Sequence, residues 1–193
     1  MNETASSAWP LSLRLLHWLS AALVLAALGL GTFMVELVHN PAQRFELTQT
    51  HKSLGIAIFA LTMVRLCRRG LARAPQAEPA SRLVLAAAKA AHLALYALLL
   101  LMPLSGWLMA TTTPVRVPTL VFGLFELPYP LAPDLGAYRL AHAAHVALAI
   151  ALAALIVLHI AAAMVHAFVW RDQTLSRMWR KRRSPRVQRA EAC

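Results

Sequence analysis

The chain has 193 residues, of which 59% are hydrophobic and only 14% charged, with a mean hydropathy of +0.57 and a formal net charge of +11. That balance excludes an ordinary soluble domain and makes a bilayer the natural solvent. The apolar residues form four blocks, separated by nearly all the charges and prolines, and each block approaches the roughly 20 residues that cross a hydrocarbon core.

The first predicted span covers about residues 11 to 36 and carries Arg14, His17, Gly29 and Gly31. It reads as a mature helix rather than a leader: Arg14 is the only nearby positive charge, the apolar run continues to Val38, and no persuasive cleavage site follows. His39 lies in the connection to the second span, about 49 to 69, which begins with His51 and Lys52 and contains Gly55. The third span, about 83 to 111, holds His92 and Gly106, with Pro103 expected to kink it. Such glycines permit close helix approach or make room for a flat cofactor, and plain packing accounts for each one equally well.

From Thr111 to Tyr138, prolines at 114, 118, 128, 130 and 133 rule out a continuous helix. The segment is nonetheless apolar, with Leu120, Val121, Phe122, Leu124, Phe125, Leu127 and Tyr129, and is expected to lie as an amphipathic cap over one end of the bundle. The fourth span, about 139 to 169, carries His142, His145, His159 and His166. Like the third, it is long enough to protrude or tilt. Residues 178 to 193 form a basic tail. The expected fold is therefore all-α: an integral membrane four-helix bundle in one domain, residues 1 to 177.

Fifteen of the 19 basic residues fall on one side of this arrangement; Arg44, Lys52, Arg116 and Arg139 fall on the other. Charge sorted in this way sets topology. By the positive-inside rule, both termini and the connection between spans two and three face the cytoplasm, and the basic tail meets anionic lipid headgroups. Sorting by side also takes the charge away from a nucleic-acid reading.

Ionisable residues inside spans are costly, so the histidines demand an explanation. A single intramembrane histidine is often a hydrogen-bonded structural residue, but that reading weakens quickly for a set in matched pairs. His145 and His159 are 14 residues apart, which returns them to within about 40° of one helix face after about 21 Å of rise. One face thus offers two ligands at two depths, and that gap suits two haems, each completed by an imidazole from a facing helix. No CxxCH is present, so covalent c-type attachment is excluded, and the cysteines, Cys67 and Cys193, form no disulfide framework. By depth, His51 pairs with His145 on the outer side. On the inner side His17 pairs with His159 or with His166, which lies within about 20° of the same face. A His145 to His166 spacing of about 31 Å would push the haems to the membrane edges, and geometry leaves both open.

The ordered motifs Arg14-Leu15-Leu16-His17-Trp18, His51-Lys52-Ser53-Leu54-Gly55, His92 with Tyr96, Pro103-Leu104-Ser105-Gly106-Trp107, His145 with His159, and the run His166 to Leu175 resemble the bacterial cytochrome b561 family from Leu13 to Arg177. The resemblance implies that His17, His51, His145 and His159 are the axial ligands of two haem b groups, paired His17/His159 and His51/His145. It leaves His92, His166 and Arg14 as contacts of haem propionates or a quinone, with structural packing an equally good reading of the two histidines, and His142 as an interfacial residue near the outer haem.

Iron held by two histidines has no open position and suits outer-sphere electron transfer. Members of the family include a superoxide oxidase, so the resemblance implies electron flow from superoxide at the periplasmic face of the bacterial inner membrane to ubiquinone, with Lys52 and Arg139 steering the anion. Ordinary snorkelling explains either cation alone equally well. The alternative is a non-enzymatic electron-transfer or anchor subunit linking the quinone pool to a periplasmic redox partner.

Overall fold

The computed structural model describes residues 8–73 and 80–179. Most of the basic tail, from residue 180 onward, lies outside them. Four long helices, α1 (Leu11–Glu36), α2 (Pro41–Leu71), α3 (Arg82–Thr112) and α4 (Leu135–Met164), pack in sequence order, α1 on α2, α2 on α3 and α3 on α4. A short hairpin, β1 (Thr119–Val121) and β2 (Phe125–Leu127), lies between α3 and α4. A π-helical turn, Val165–Val169, extends α4, and a single turn, α5 (Ser176–Trp179), follows.

The first helix has the bounds expected of it. The second begins eight residues before the expected start, because Asn40 and Pro41 make a strong helix start: Asn40 Oδ1 accepts from the amides of Ala42 and Gln43 at 3.0 and 3.2 Å, and Pro41 has no amide to leave unpaired. The polar residues 42–50 are therefore helical as well. Ser81 and Asp134 cap α3 and α4 through the Val84 and Ala137 amides at 3.3 and 2.7 Å, and the Asp134 cap starts α4 at Leu135 instead of 139.

Leu11–Glu36, Arg82–Thr112 and Leu135–Val169 are long and apolar enough to cross a membrane. Lys52 and Arg65 bound the apolar run of α2 too closely for it to join them on composition alone.

Large side chains such as Leu25, Leu93, Ile150 and Val157 face outward, whereas Ser20, Ser53 and Thr62 are buried. This inverts the pattern of a soluble protein and fits a hydrocarbon surround, where small polar residues let helices approach closely. The buried hydroxyls are satisfied within their own helices, by the carbonyls of Leu16, Gln49 and Ile58 at 2.6, 2.9 and 2.7 Å. The apolar centre is formed by Val24, Ala27, Ile58, Leu99 and Leu152.

The expected cap is present, but as a β-hairpin, so the all-α expectation misses two three-residue strands. The turn at Phe122 and Gly123, both at positive φ, is closed by the Leu124 amide on the Val121 carbonyl at 2.9 Å. The hairpin docks on α2 through side chains that replace a missing third strand. Gln49 donates to the Pro118 carbonyl at 2.8 Å and accepts from the Leu120 amide at 3.2 Å, while Ser53 Oγ accepts from the Phe122 amide at 2.9 Å. We call this the hairpin end of the bundle; the opposite end, with Arg14, Arg68, Arg69 and Arg82, is the basic end.

Candidate functional site

Two pairs of histidines meet inside the bundle. Near the hairpin end, His51 on α2 faces His145 on α4 with ring centroids 6.3 Å apart and planes at 76°. Nearer the basic end, His17 on α1 faces His159 on α4 at 6.4 Å and 76°. A metal–imidazole bond of about 2 Å, plus about 1.1 Å from nitrogen to ring centre, would place two rings on opposite sides of one metal at about 6.2 Å, within about 0.2 Å of both pairs. The two pairs share α4, whose 14-residue spacing returns both ligands to one face as the sequence requires.

The donor set selects the kind of group that fits. Among the described residues, no three or more His, Cys, Asp or Glu side chains converge as a bare ion would need. Donors come in twos, which suits a metal whose remaining positions are filled by a macrocycle.

The hairpin-end pair is cradled by absent side chains. A Cβ on Gly31 would stand 3.1 Å from His51 Cε1, and one on Gly106 would stand 3.1 Å from His145 Cε1. Glycine at these two positions is what lets the rings lie against α1 and α3. Next to the pair is an apolar chamber lined by Val24, Gly55, Ile58, Leu99, Met102 and Leu152, with the two histidines as its polar members. Ser105 Oγ lies 2.9 Å from His145 Nδ1 and donates to the Met102 carbonyl at 2.7 Å, so the ring nitrogen is the donor and Nε2 is left with its lone pair. The Ala27 carbonyl faces the His51 ring, yet buried Nδ1 completes no hydrogen bond of ordinary geometry.

The basic-end pair has different neighbours. His92 on α3 packs edge-on against His159 at 5.6 Å and bonds the Ala88 carbonyl through Nδ1 at 2.6 Å. Arg65 on α2 lies within electrostatic reach of His17 and His159, with its guanidinium 5.4 Å from the centre of the Tyr96 ring. Trp18 packs against His17 and donates from Nε1 to the Met178 carbonyl at 3.0 Å.

His166 is not brought to either pair. Its Nδ1 contacts Asp172 Oδ2 at 2.5 Å and Thr174 Oγ1 at 3.2 Å, with Trp170 stacked edge-on at 4.5 Å. Burial raises the Asp172 carboxyl, but the hydrogen bonds with His166 and Thr174 outweigh it and hold the group below the usual carboxylate range. Arg14 binds the Trp179 carbonyl, tying α1 to the C-terminal segment rather than reaching a histidine pair. Lys52 is half-buried beside His51, Arg139 is exposed on the first turns of α4, and His142 is exposed against Tyr138 at 6.2 Å.

Sequence reasoning read Arg65 only as part of a basic run and Ser105 only as part of a motif. The signal for Arg65 was its position, 14 residues after His51, the same interval that separates the two histidines of α4.

The family described as prokaryotic cytochrome b561 matches residues 8–181. Cytochrome b561 homolog 2 of Escherichia coli (strain K12) is 38% identical over 164 residues, covering 84% of this chain and 86% of that protein.

Proposed function

The chain belongs to the prokaryotic cytochrome b561 family of membrane electron-transfer proteins, and from that premise we propose that it holds two haem b groups and moves electrons between the two faces of the bacterial inner membrane. His51 and His145 hold one haem; His17 and His159 hold the other. The single observation that carries this reading is the repeated separation, 6.3 and 6.4 Å, of two imidazole pairs at two levels of one helix. In this reading α2 crosses the membrane with the other three helices, because it supplies His51 to the centre of the bundle. The hairpin end is periplasmic and both termini are cytoplasmic in this reading, which the sorting of basic residues supports.

His51 with His145 and His17 with His159 would each hold a haem that, when bound, would supply a reversible one-electron carrier. The protein's own residues do the rest. Ser105 orients His145, the two glycines admit the ligand rings, and the apolar chamber keeps water from the path.

The proposed donor is superoxide at the periplasmic face and the proposed acceptor is ubiquinone. Two superoxide anions give up one electron each and leave as dioxygen; ubiquinone takes the two electrons with two protons from water and becomes ubiquinol. Lys52 beside His51, with Arg116 and Arg139 at the same end, attracts the anion. The alternative, a non-enzymatic subunit delivering electrons to a periplasmic protein, draws support from the exposed apolar hairpin tip of Phe122, Leu124 and Phe125.

A pyridine haemochrome assay tests the ligands. Two haems are expected per chain, one after His51→Ala or His145→Ala, one after His17→Ala or His159→Ala, and two after His166→Ala. Two haems surviving in His159→Ala would overturn the pairing. A superoxide pulse should reduce the haems and drive quinone-dependent turnover; with neither, and a periplasmic protein copurifying, the subunit reading replaces the oxidase.

A further inference from the structure

The 14-residue interval that separates His145 from His159 recurs on every long helix. It links Gly31 to His17 on α1, His51 to Arg65 on α2 and Gly106 to His92 on α3. The bundle therefore has two comparable layers, each with one residue from each helix. In the hairpin-end layer the two non-ligand positions are the glycines that back His51 and His145. In the basic-end layer those positions are Arg65 and His92, with His92 against His159 as Gly106 is against His145.

This second layer is rich in nitrogen donors and has no acid. The chain's eight acidic residues include none on the basic-end halves of the four long helices, and Asp172 beyond them is engaged by His166 and Thr174. Among the described residues, Arg65 forms no ion pair; its neighbours are the Tyr96 ring, His17 and His159. A guanidinium drawn into a low-dielectric interior without a counter-anion is strongly unfavourable, and arginine does not escape by losing its proton. Among the described residues the chain supplies no anion here, which leaves the carboxylates of the cofactor as the counter-charge.

We propose that Arg65 binds a carboxylate of the haem held between His17 and His159 and sets that haem's reduction potential apart from the other's. The inference rests on the ligand assignment above. A guanidinium presents paired N–H donors that match a carboxylate, and its positive charge favours the reduced over the more positive oxidised iron. Tyr96 holds the guanidinium from behind by a cation–π contact. In the hairpin-end layer the two non-ligand positions are glycines, and the nearest cation on α2, Lys52, lies one residue outside the layer.

The test is a spectroelectrochemical titration of the full-length protein and of Arg65→Gln and Arg65→Lys, with haem counted in each. The basic-end component is identified as the one missing from His159→Ala. Arg65→Gln should lower the reduction equilibrium constant of that component by about tenfold, about 59 mV for a one-electron couple, or release that haem; Arg65→Lys should remain near the parent. The hairpin-end component should move in neither. If Gln and Lys behave alike, whether both retain or both lose the haem, a charge role is overturned and only packing remains. Failure of the ligand assignment is seen separately, as His159→Ala retaining both haems.

Discussion

His145 Nδ1 lies 2.9 Å from the hydroxyl of Ser105, and that hydroxyl in turn donates to the Met102 carbonyl at 2.7 Å. A hydroxyl that donates to the Met102 carbonyl accepts from Nδ1–H, an arrangement that favours the tautomer with Nε2 free. Second partners of this kind typically contribute 10–100-fold in metal affinity. Ser105→Ala should therefore weaken retention of the hairpin-end haem by about that factor and leave the basic-end haem in place, as read by haem loss to an apo-globin acceptor. Ser105→Thr, which keeps the hydroxyl, should retain most of the affinity.

Gly31 and Gly106 make a second, steric prediction. An added methyl at either would stand 3.1 Å from a ligand ring, closer than an ordinary contact, so the ring must shift. Overpacking of this kind costs about 1–3 kcal/mol, and here the strain falls on the two proposed iron ligands. Gly31→Ala and Gly106→Ala should each broaden or shift the low-spin spectrum of the hairpin-end haem alone. Gly29→Ala, where nothing lies within 4 Å, should leave both spectra unchanged. An equal effect of all three would point to general helix packing.

The parts of the fold governed by one helix's periodicity were legible beforehand. The first helix has the expected bounds, and the His145/His159 interval specified a shared face because both positions carry the same residue type. The layers were not legible, because on the other helices the interval joins unlike residues: glycine to histidine, histidine to arginine. Arg65 was absorbed into the positive-inside count, since a charge near a span end reads as topology until its neighbours are known. His166 remained a rival ligand because face and depth on α4 admit it; its contacts with Asp172 and Thr174 depend on a chain reversal, at Arg171 with φ of 52°, that no periodicity encodes. The early start of α2 was hidden by its hydrophilic first turns, which a hydropathy reading assigns to a loop.

The hairpin makes a third prediction. Gln49 and Ser53 flank His51 in sequence and both bind β1 or the turn after it, so the helical turn that carries the ligand is pinned from above. Ser53→Ala removes the acceptor of the Phe122 amide, a part-buried hydrogen bond of a kind that contributes about 0.5–1.5 kcal/mol. The hairpin should open more often in this variant. Water reaching the hairpin-end haem would stabilise its charged oxidised form, so its potential should fall while the other haem's stays constant. Faster reduction of the same haem by dithionite would accompany the shift. An unchanged potential together with unchanged access would show that the latch does not govern the site.

The C-terminal segment closes the basic end. The carbonyls of Arg177, Met178 and Trp179 accept from Trp9, Trp18 and Arg14, and the reversal that brings them there is held by Asp172 between His166 and Thr174. Because the folded-state carboxyl is held below its ordinary value, the stability it contributes is present above the unfolded pKa of about 3.9 and is lost as pH falls through the lower folded value. The contribution of the Asp172 charge to docking should thus be lost only in acid below its ordinary range. Asp172→Asn, which cannot carry the charge, should show the released state already at neutral pH. Tryptophan fluorescence of Trp170 and Trp179 and the rate of tryptic cleavage at Arg171 and Arg177 measure it. A variant that cleaves no faster than the parent at pH 7 would remove Asp172 from this role, leaving the contacts with α1 to hold the segment alone.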